Sequence, residues 1–146
     1  MRDDTIILIA EDDDGHFALI ERNLIRTGIA NKVVRLKDGQ EAMDLLEQLK
    51  DPFEPKSKRP CLMILDIRMP KVDGFEVLAY MKGDELLRKI PVIVLTTAGD
   101  RHAVDKCQEL GCNMYVVKPV EYDKFVEAMN RIGHFLSIIE VPVVNT

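Results

Sequence analysis

"CLMILDIRMPKVDG", residues 61–74, decides how the chain is read. Cys61 to Leu65 are uninterruptedly apolar, as in a strand covered on both faces. Asp66 comes straight off the end of that run, and Arg68, Pro70, Asp73 and Gly74 follow at once. A central strand that ends in a carboxylate and then turns sharply has some use for the carboxylate. One strand alone does not say what that use is; the ends of the other strands do.

Four further apolar runs match the first: "TIILIA" at 5–10, "KVVRL" at 32–36, "VIVLT" at 92–96 and "MYVV" at 114–117. Helical spacing fills the gaps between them. Phe17, Ile20, Leu24 and Ile25 form a stripe over 14–27, closed by Gly28. Ala42, Leu45, Leu46 and Leu49 do the same over 40–50, and Val77, Leu78 and Met81 over 74–82. Ala103, Val104, Cys107 and Leu110 follow over 101–110, closed by Gly111. The last stripe, over 121–139, runs through Tyr122, Phe125, Val126, Met129, Ile132, Phe135, Leu136 and Ile139. Strand and helix alternate five times. That pattern predicts one α/β domain, doubly wound on a sheet of five parallel strands. The stretch "KDPFEPKSKRP" at 50–60 reads as a solvated loop, with its three prolines and basic residues.

Composition limits the function. The chain has 146 residues, enough for a single domain with a real core. Lys plus Arg is 20 against 25 for Asp plus Glu, a net charge of -5, which argues against a nucleic-acid partner. No apolar run reaches membrane-spanning length, and "MRDDTIILIAEDDD" turns acidic too early for a signal peptide. Cys61, Cys107 and Cys112 are odd in number and form no CxxC motif. They read as buried or reduced thiols of a cytoplasmic protein, with metal ligation as the minor alternative.

In an open parallel sheet, ligands bind beyond the carboxyl ends of the strands. The first strand leads into Glu11, Asp12, Asp13 and Asp14, and the third into Asp66. The fourth ends in Thr96 and Thr97, and the fifth in Lys118 and Pro119. The second carries no obvious chemical group at its end. Singly, these are ordinary residues: helix caps such as Asp13 or Asp14, a turn threonine, an exposed lysine. Gathered on one edge, they are a chemical set.

Glu11, Asp12 and Asp66 crowd three negative charges together. At about 4 Å and an effective dielectric near 20, each like pair costs on the order of 4 kcal/mol. One lysine cannot neutralise three carboxylates, so either pKa values rise or a divalent cation binds. Oxygen ligands from carboxylates, completed by water, suit Mg²⁺, and Mg²⁺ suits phosphoryl chemistry. Asp66 is the candidate nucleophile, forming an aspartyl phosphate. Asp12 would hold the metal, while Lys118 and the Thr96 hydroxyl would take the other phosphoryl oxygens.

"ILIAEDDD" at 7–14, "MILDIRMPKVDGFEVL" at 63–78, "IPVIVLTTAG" at 90–99 and "MYVVKPV" at 114–120 together resemble the receiver domain of two-component response regulators. The resemblance runs from about Ile6 to about Leu136. It implies a flavodoxin-like domain with strand order 2-1-3-4-5. It implies a signalling phosphoacceptor that assists its own phosphorylation and dephosphorylation, not a turnover enzyme. The donor is a phosphohistidine on a sensor histidine kinase. Asp66 matches the phosphoacceptor. Glu11 and Asp12 match the acidic pair that holds Mg²⁺, or Mn²⁺ in its place. Arg68 matches the position whose backbone carbonyl completes the metal site. Thr96 matches the switch hydroxyl, Lys118 the phosphate-contacting lysine, and Tyr115 an aromatic that rotates inward on activation. The resemblance also implies a cis Lys118–Pro119 bond.

Within the family, the Pro-rich loop, the Thr96-Thr97 doublet and the tail are most similar to stand-alone regulators of bacterial phytochrome-type kinases. That implies a phytochrome-type photoreceptor as partner, and a homodimer through the fourth helix, fifth strand and fifth helix. The domain is expected over 1–139. The tail "IIEVPVVNT" is apolar, and residues 140–146 are expected to pack on a partner subunit. Kinase pairing is expected to involve the first helix, with His16, Ile20 and Asn23 as candidates.

Three departures stand out. Glu11 replaces the commoner Asp, Thr97 is bulkier than the usual small residue, and Arg68 stands where side chains influence hydrolytic water. A haloacid-dehalogenase-like phosphatase shares the Asp, Thr, Lys and Mg²⁺ set. It needs a second Asp two residues after a nucleophile on the first strand, where this chain has Arg68 after the third. A degenerate receiver that only binds a partner is disfavoured by the intact Asp66, Thr96 and Lys118.

Overall fold

The structure is a computed structural model and describes residues 1–97 and 101–145. The chain runs β1 (Ile6–Ala10), α1 (Asp14–Arg26), β2 (Val33–Leu36), α2 (Gly39–Leu49), β3 (Cys61–Leu65), α3 (Gly74–Lys82), β4 (Val92–Thr96), α4 (Arg101–Glu109), β5 (Met114–Val117) and α5 (Tyr122–Ile138). Short 3₁₀ turns lie at Pro55–Lys58 and Leu87–Lys89. The five strands are parallel, in the order β2-β1-β3-β4-β5. This is the expected doubly wound sheet.

The apolar runs explain the layering. β1, β3 and β4 are buried at every position, because helices cover both faces. Alternate residues then serve opposite layers. Ile6, Leu8 and Ala10 face the layer holding α2, α3 and Cys107 of α4. Ile7 and Ile9 face α1 and α5, against Ile20, Leu24, Met129 and Ile132. Gly28 and Gly111 follow α1 and α4 with φ of 97° and 91°. Burial pushes the Cys61 and Cys107 thiols up to about 11, so both are inert, un-ionised core residues.

Two members of the expected stripes face water: Ile25 is 63% exposed and Tyr122 is 50% exposed. Ile25 lies one residue, about 100° of helix rotation, beyond the buried Leu24. Ile20 and Asn23 are the opposite case. Both are 1% exposed, so they serve the α1 packing face and cannot meet a kinase as expected.

The amino end of the sheet also differs from expectation. Residues 50–60 are not wholly a solvated loop. Phe53 is exposed, but Ser57 and Pro60 are buried. The Ser57 hydroxyl donates to the Glu54 carbonyl at 2.7 Å. The tail packs here, on its own chain. Val143 bridges to Pro60 in antiparallel fashion, and Val144 is fully buried in the α2–α3 layer. The Asn145 backbone amide donates to the Ser57 carbonyl at 3.2 Å, and its side-chain amide to Leu49, the last residue of α2, at 2.7 Å. An apolar tail that was expected to need a partner subunit finds its cover at Val143–Asn145 within the domain.

Candidate functional site

The carboxyl edge of the sheet gathers the predicted residues. β1 delivers Glu11, which is buried, and Asp12, which is exposed. Asp13 caps α1, accepting from the His16 backbone amide at 2.8 Å. β3 delivers Asp66, whose backbone amide continues the ladder to the Ala10 carbonyl at 3.0 Å. Thr96 ends β4, fully buried. Lys118 follows β5, and its backbone amide is fixed to the Thr96 carbonyl at 2.9 Å. Tyr115 is half-buried on β5, opposite Val94, and packs against the α2–α4 layer.

Lys118 is the hub. Its ammonium lies 2.9 Å from Glu11 Oε1 and 3.2 Å from Asp66 Oδ2, with all three side chains at least nine-tenths buried. Asp66 Oδ1 accepts from the Arg68 backbone amide at 3.1 Å. Carboxylate oxygens of Glu11, Asp12 and Asp66 converge within 4.8 Å of one another.

Two carboxylates and one ammonium in a buried space cannot all stay charged at low cost. Burial raises the Glu11 carboxyl from 4.5 to about 8, helped by Asp66 and only partly offset by Lys118. Burial pushes Asp66 up as well. Its hydrogen bond with Glu11, the Lys118 charge, the Thr96 hydroxyl and the Arg68 amide outweigh that and hold it below the usual carboxylate range. In the metal-free site, therefore, Glu11 keeps its proton to higher pH than Asp66 does. The buried Oε2 of Glu11 meets no hydrogen-bond donor. An acceptor facing another carboxylate is satisfied by a proton or by a cation. A hard divalent cation fits this donor set, which is all oxygen and converges from two strand ends.

The response regulator receiver domain model matches residues 7–130. This chain belongs to that family. The receiver domain is 39% identical over 113 residues to the response regulator Rcp1 of Synechocystis, spanning 77% of this chain and 76% of that protein. It is 32% identical over 123 residues to the polar-differentiation response regulator DivK of Brucella anthropi, spanning 84% and 91%. In structure it is similar to the phosphorylated cyanobacterial phytochrome response regulator RcpA, with a TM-score of 0.84 at 33% identity over 95% of this chain and 99% of that one. The Mn²⁺-bound form of Rcp1 gives a TM-score of 0.83 at 33% identity, over 94% and 98%.

One expectation fails. The Lys118–Pro119 bond is trans, as no described peptide bond is cis. The trans form of an X–Pro bond is intrinsically favoured by about 0.5–1 kcal/mol. With the bond trans, the Lys118 ammonium already reaches both carboxylates.

Two residues of the receiver domain's site were not expected there, Arg35 and His16, the latter being expected only to take part in kinase pairing. His16 Nδ1 lies 3.1 Å from Glu11 Oε1 and 3.3 Å from Lys118 Nζ, while its side chain is 45% exposed. It borders a cavity with Thr97, Lys118, Pro119 and Val120. Nothing in the sequence marks this, because only the first turn of α1 swings the ring back over Glu11. Arg35 left a signal: an arginine in the otherwise apolar "VVRL". Its guanidinium donates to the Glu11 and Asp12 carbonyls at 3.2 and 3.3 Å, pairs with Asp14 at 2.7 Å and stacks over Phe17. β2 therefore does contribute to the edge, by fixing the acidic loop's backbone.

Proposed function

We propose that Asp66 accepts a phosphoryl group from a phosphohistidine of a sensor histidine kinase, and that the resulting change switches partner binding. The observation that carries this is the Asp66 carboxylate, kept ionised and held by Lys118 Nζ at 3.2 Å and the Arg68 amide at 3.1 Å. One carboxylate oxygen forms a bond to phosphorus as the phosphorus–nitrogen bond breaks. The electron pair returns to the departing imidazole, which takes up a proton. Lys118 then faces a phosphoryl oxygen, and the Thr96 hydroxyl moves to another, drawing Tyr115 inward.

Glu11, Asp12, Asp66 and the Arg68 backbone carbonyl would hold Mg²⁺, with Mn²⁺ able to replace it. The cation supplies charge stabilisation for the transferring group when bound. The unpartnered Glu11 Oε2 and the Mn²⁺-bound relative support this. The likeness to RcpA and Rcp1 supports a phytochrome-type kinase as donor. The receiver unit spans 1–139, with 140–146 as an extension that packs back on it through Val143–Asn145. No described helix is long and apolar enough to cross a membrane. We place the protein in the cytoplasm, with no nucleic-acid or membrane partner. A homodimer through α4, β5 and α5 would cover the exposed Val117 and Tyr122. Light scattering that gives a monomer both with and without phosphorylation removes that interface.

Acetyl phosphate with Mg²⁺ tests the central reading. Intact mass should show one added phosphoryl group on the wild type and none on Asp66→Ala. Equal labelling of the two, or no labelling of the wild type, overturns it.

A further inference from the structure

We infer that Asp38 and Gly39, at the β2–α2 corner, are positioning residues for the phosphoacceptor loop, resting on the reading of Asp66 and the Arg68 carbonyl given above. Residues 66–74 leave β3 and return to α3. Their base is pinned by Gly74, whose amide donates to the Ile67 carbonyl at 2.8 Å. A Cβ on Gly74 would lie 2.5 Å from both the Asp66 carbonyl oxygen and Ile67 Cα, so only glycine admits that approach. The Ile67 and Met69 side chains anchor in the core, while Arg68 between them is exposed.

The tip of the loop is anchored less firmly, with only the partly buried Val72 packing against the core. Pro70 and Val72 close a three-residue turn, the Val72 amide donating to the Pro70 carbonyl at 2.9 Å. Lys71 at its centre has φ of 71°, the one positive value among the described non-glycine residues. A turn of this kind is rare and strained, so the surroundings must hold it.

The β2–α2 corner does so by two contacts. The Gly39 amide donates to the Pro70 carbonyl at 3.4 Å, and a Cβ there would overlap the Val72 carbonyl oxygen. The two backbones therefore touch, and any side chain at 39 pushes the turn away. Asp38 Oδ2 pairs with Lys71 Nζ at 3.2 Å. Its other oxygen accepts from the Glu41 amide at 2.8 Å, so capping α2 fixes the carboxylate in the direction of Lys71. Held at both base and tip, the loop has one place for the Arg68 backbone between them. Its amide meets Asp66 Oδ1, and its carbonyl is the proposed metal ligand.

Two measurements on Gly39→Ala, Lys71→Gly and Asp38→Asn test this. Lys71→Gly relaxes the turn, since glycine accepts positive φ, and it removes the ion pair, so it carries the test if Gly39→Ala fails to fold. Ile132→Val in α5 serves as a control of lowered stability far from the loop. Hydrogen exchange at the Arg68 amide should speed up about tenfold in Gly39→Ala and Lys71→Gly and less in Asp38→Asn, with the Gly74 amide unchanged. Mg²⁺ affinity by calorimetry should fall about tenfold in the first two and stay at the wild-type value in Ile132→Val. Wild-type exchange at Arg68 in both folded variants overturns the inference, whether or not metal binds. Wild-type protein that binds no Mg²⁺ instead refutes the reading of the site, and the exchange result still decides the role of the corner.

Discussion

The two ends of the sheet are built on opposite logic. At the carboxyl end, Glu11, Asp66 and Lys118 are buried together, one carboxylate oxygen meets no donor, and Lys71 holds a strained backbone. At the amino end, Val144 fills an apolar gap, Asn145 satisfies the last carbonyl of α2, and Lys89 donates to the Val144 carbonyl at 3.3 Å. One end concentrates buried charge; the other packs the tail against its own chain. The comparison teaches that the tail's contribution is to stability, and that the reactive edge draws on a fold secured from the far side.

Lys118→Met breaks the reactive end most severely. A preorganised donor aimed at a transferring group is worth about 100- to 1000-fold in rate. Labelling by acetyl phosphate should slow by that factor, while far-ultraviolet circular dichroism stays that of the folded domain. A rate within about threefold of wild type would mean that Lys118 only offsets the buried negative charge of the site.

Val144→Ala breaks the other end. Removing two buried methyl groups should cost roughly 1.5–2.5 kcal/mol in a urea unfolding titration. The labelling rate should not change, because Val144 has no contact with the carboxyl edge. A stability loss without a rate change sharpens the contrast between the ends; a matching loss in rate dissolves it.

The pH dependence separates Glu11 from Asp66 in a single sample. Folding raises the Glu11 pKa from 4.5 to about 8, so the folded state holds a proton that the unfolded state has released. The stability this brings is complete below about 4.5 and is lost as pH rises through about 8, by at most about 1.4 kcal/mol per pH unit. Asp66 has the opposite sign, since folding lowers its pKa: it stabilises above the ordinary carboxylate range and loses this only as pH falls below it. Metal-free protein should thus lose stability from pH 5 to 8 in a urea series, and Glu11→Gln should flatten that slope. Mg²⁺ needs Glu11 ionised, so its affinity should rise with pH up to about 8, with proton release visible in calorimetry. A flat wild-type profile refutes the shared-proton description.

Most of the carboxyl edge was legible in the sequence because each group leaves its strand directly. Asp66, Thr96 and Lys118 follow apolar runs, and the fold puts all strand ends on one side. His16 and Arg35 were less legible, since each depends on where a neighbouring element carries its side chain. The amino end was legible least. Val144 joins the core layer that holds Leu49, Leu87 and Cys61 only after the whole domain has formed, and no local pattern announces packing that distant in the chain. The same apolar tail is compatible with a partner subunit or with its own core, and three-dimensional packing decides.

Arg68 gives the smallest and most local effect. Its backbone is pinned beside Asp66, but its side chain is exposed. An exposed charge acts weakly on its neighbours, on the order of 1 kcal/mol or less. Its bulk sets the expected direction: a long side chain two residues from Asp66 should hinder attacking water. Arg68→Ala should therefore shorten the phosphoryl lifetime by about two- to fivefold and leave unfolding stability unchanged within about 0.5 kcal/mol. The lifetime is read by following loss of label after acetyl phosphate is removed. A lifetime equal to wild type would show that water reaches the phosphoryl group by another route, past Thr97 and His16, and would move the control of signal duration to that side of the edge.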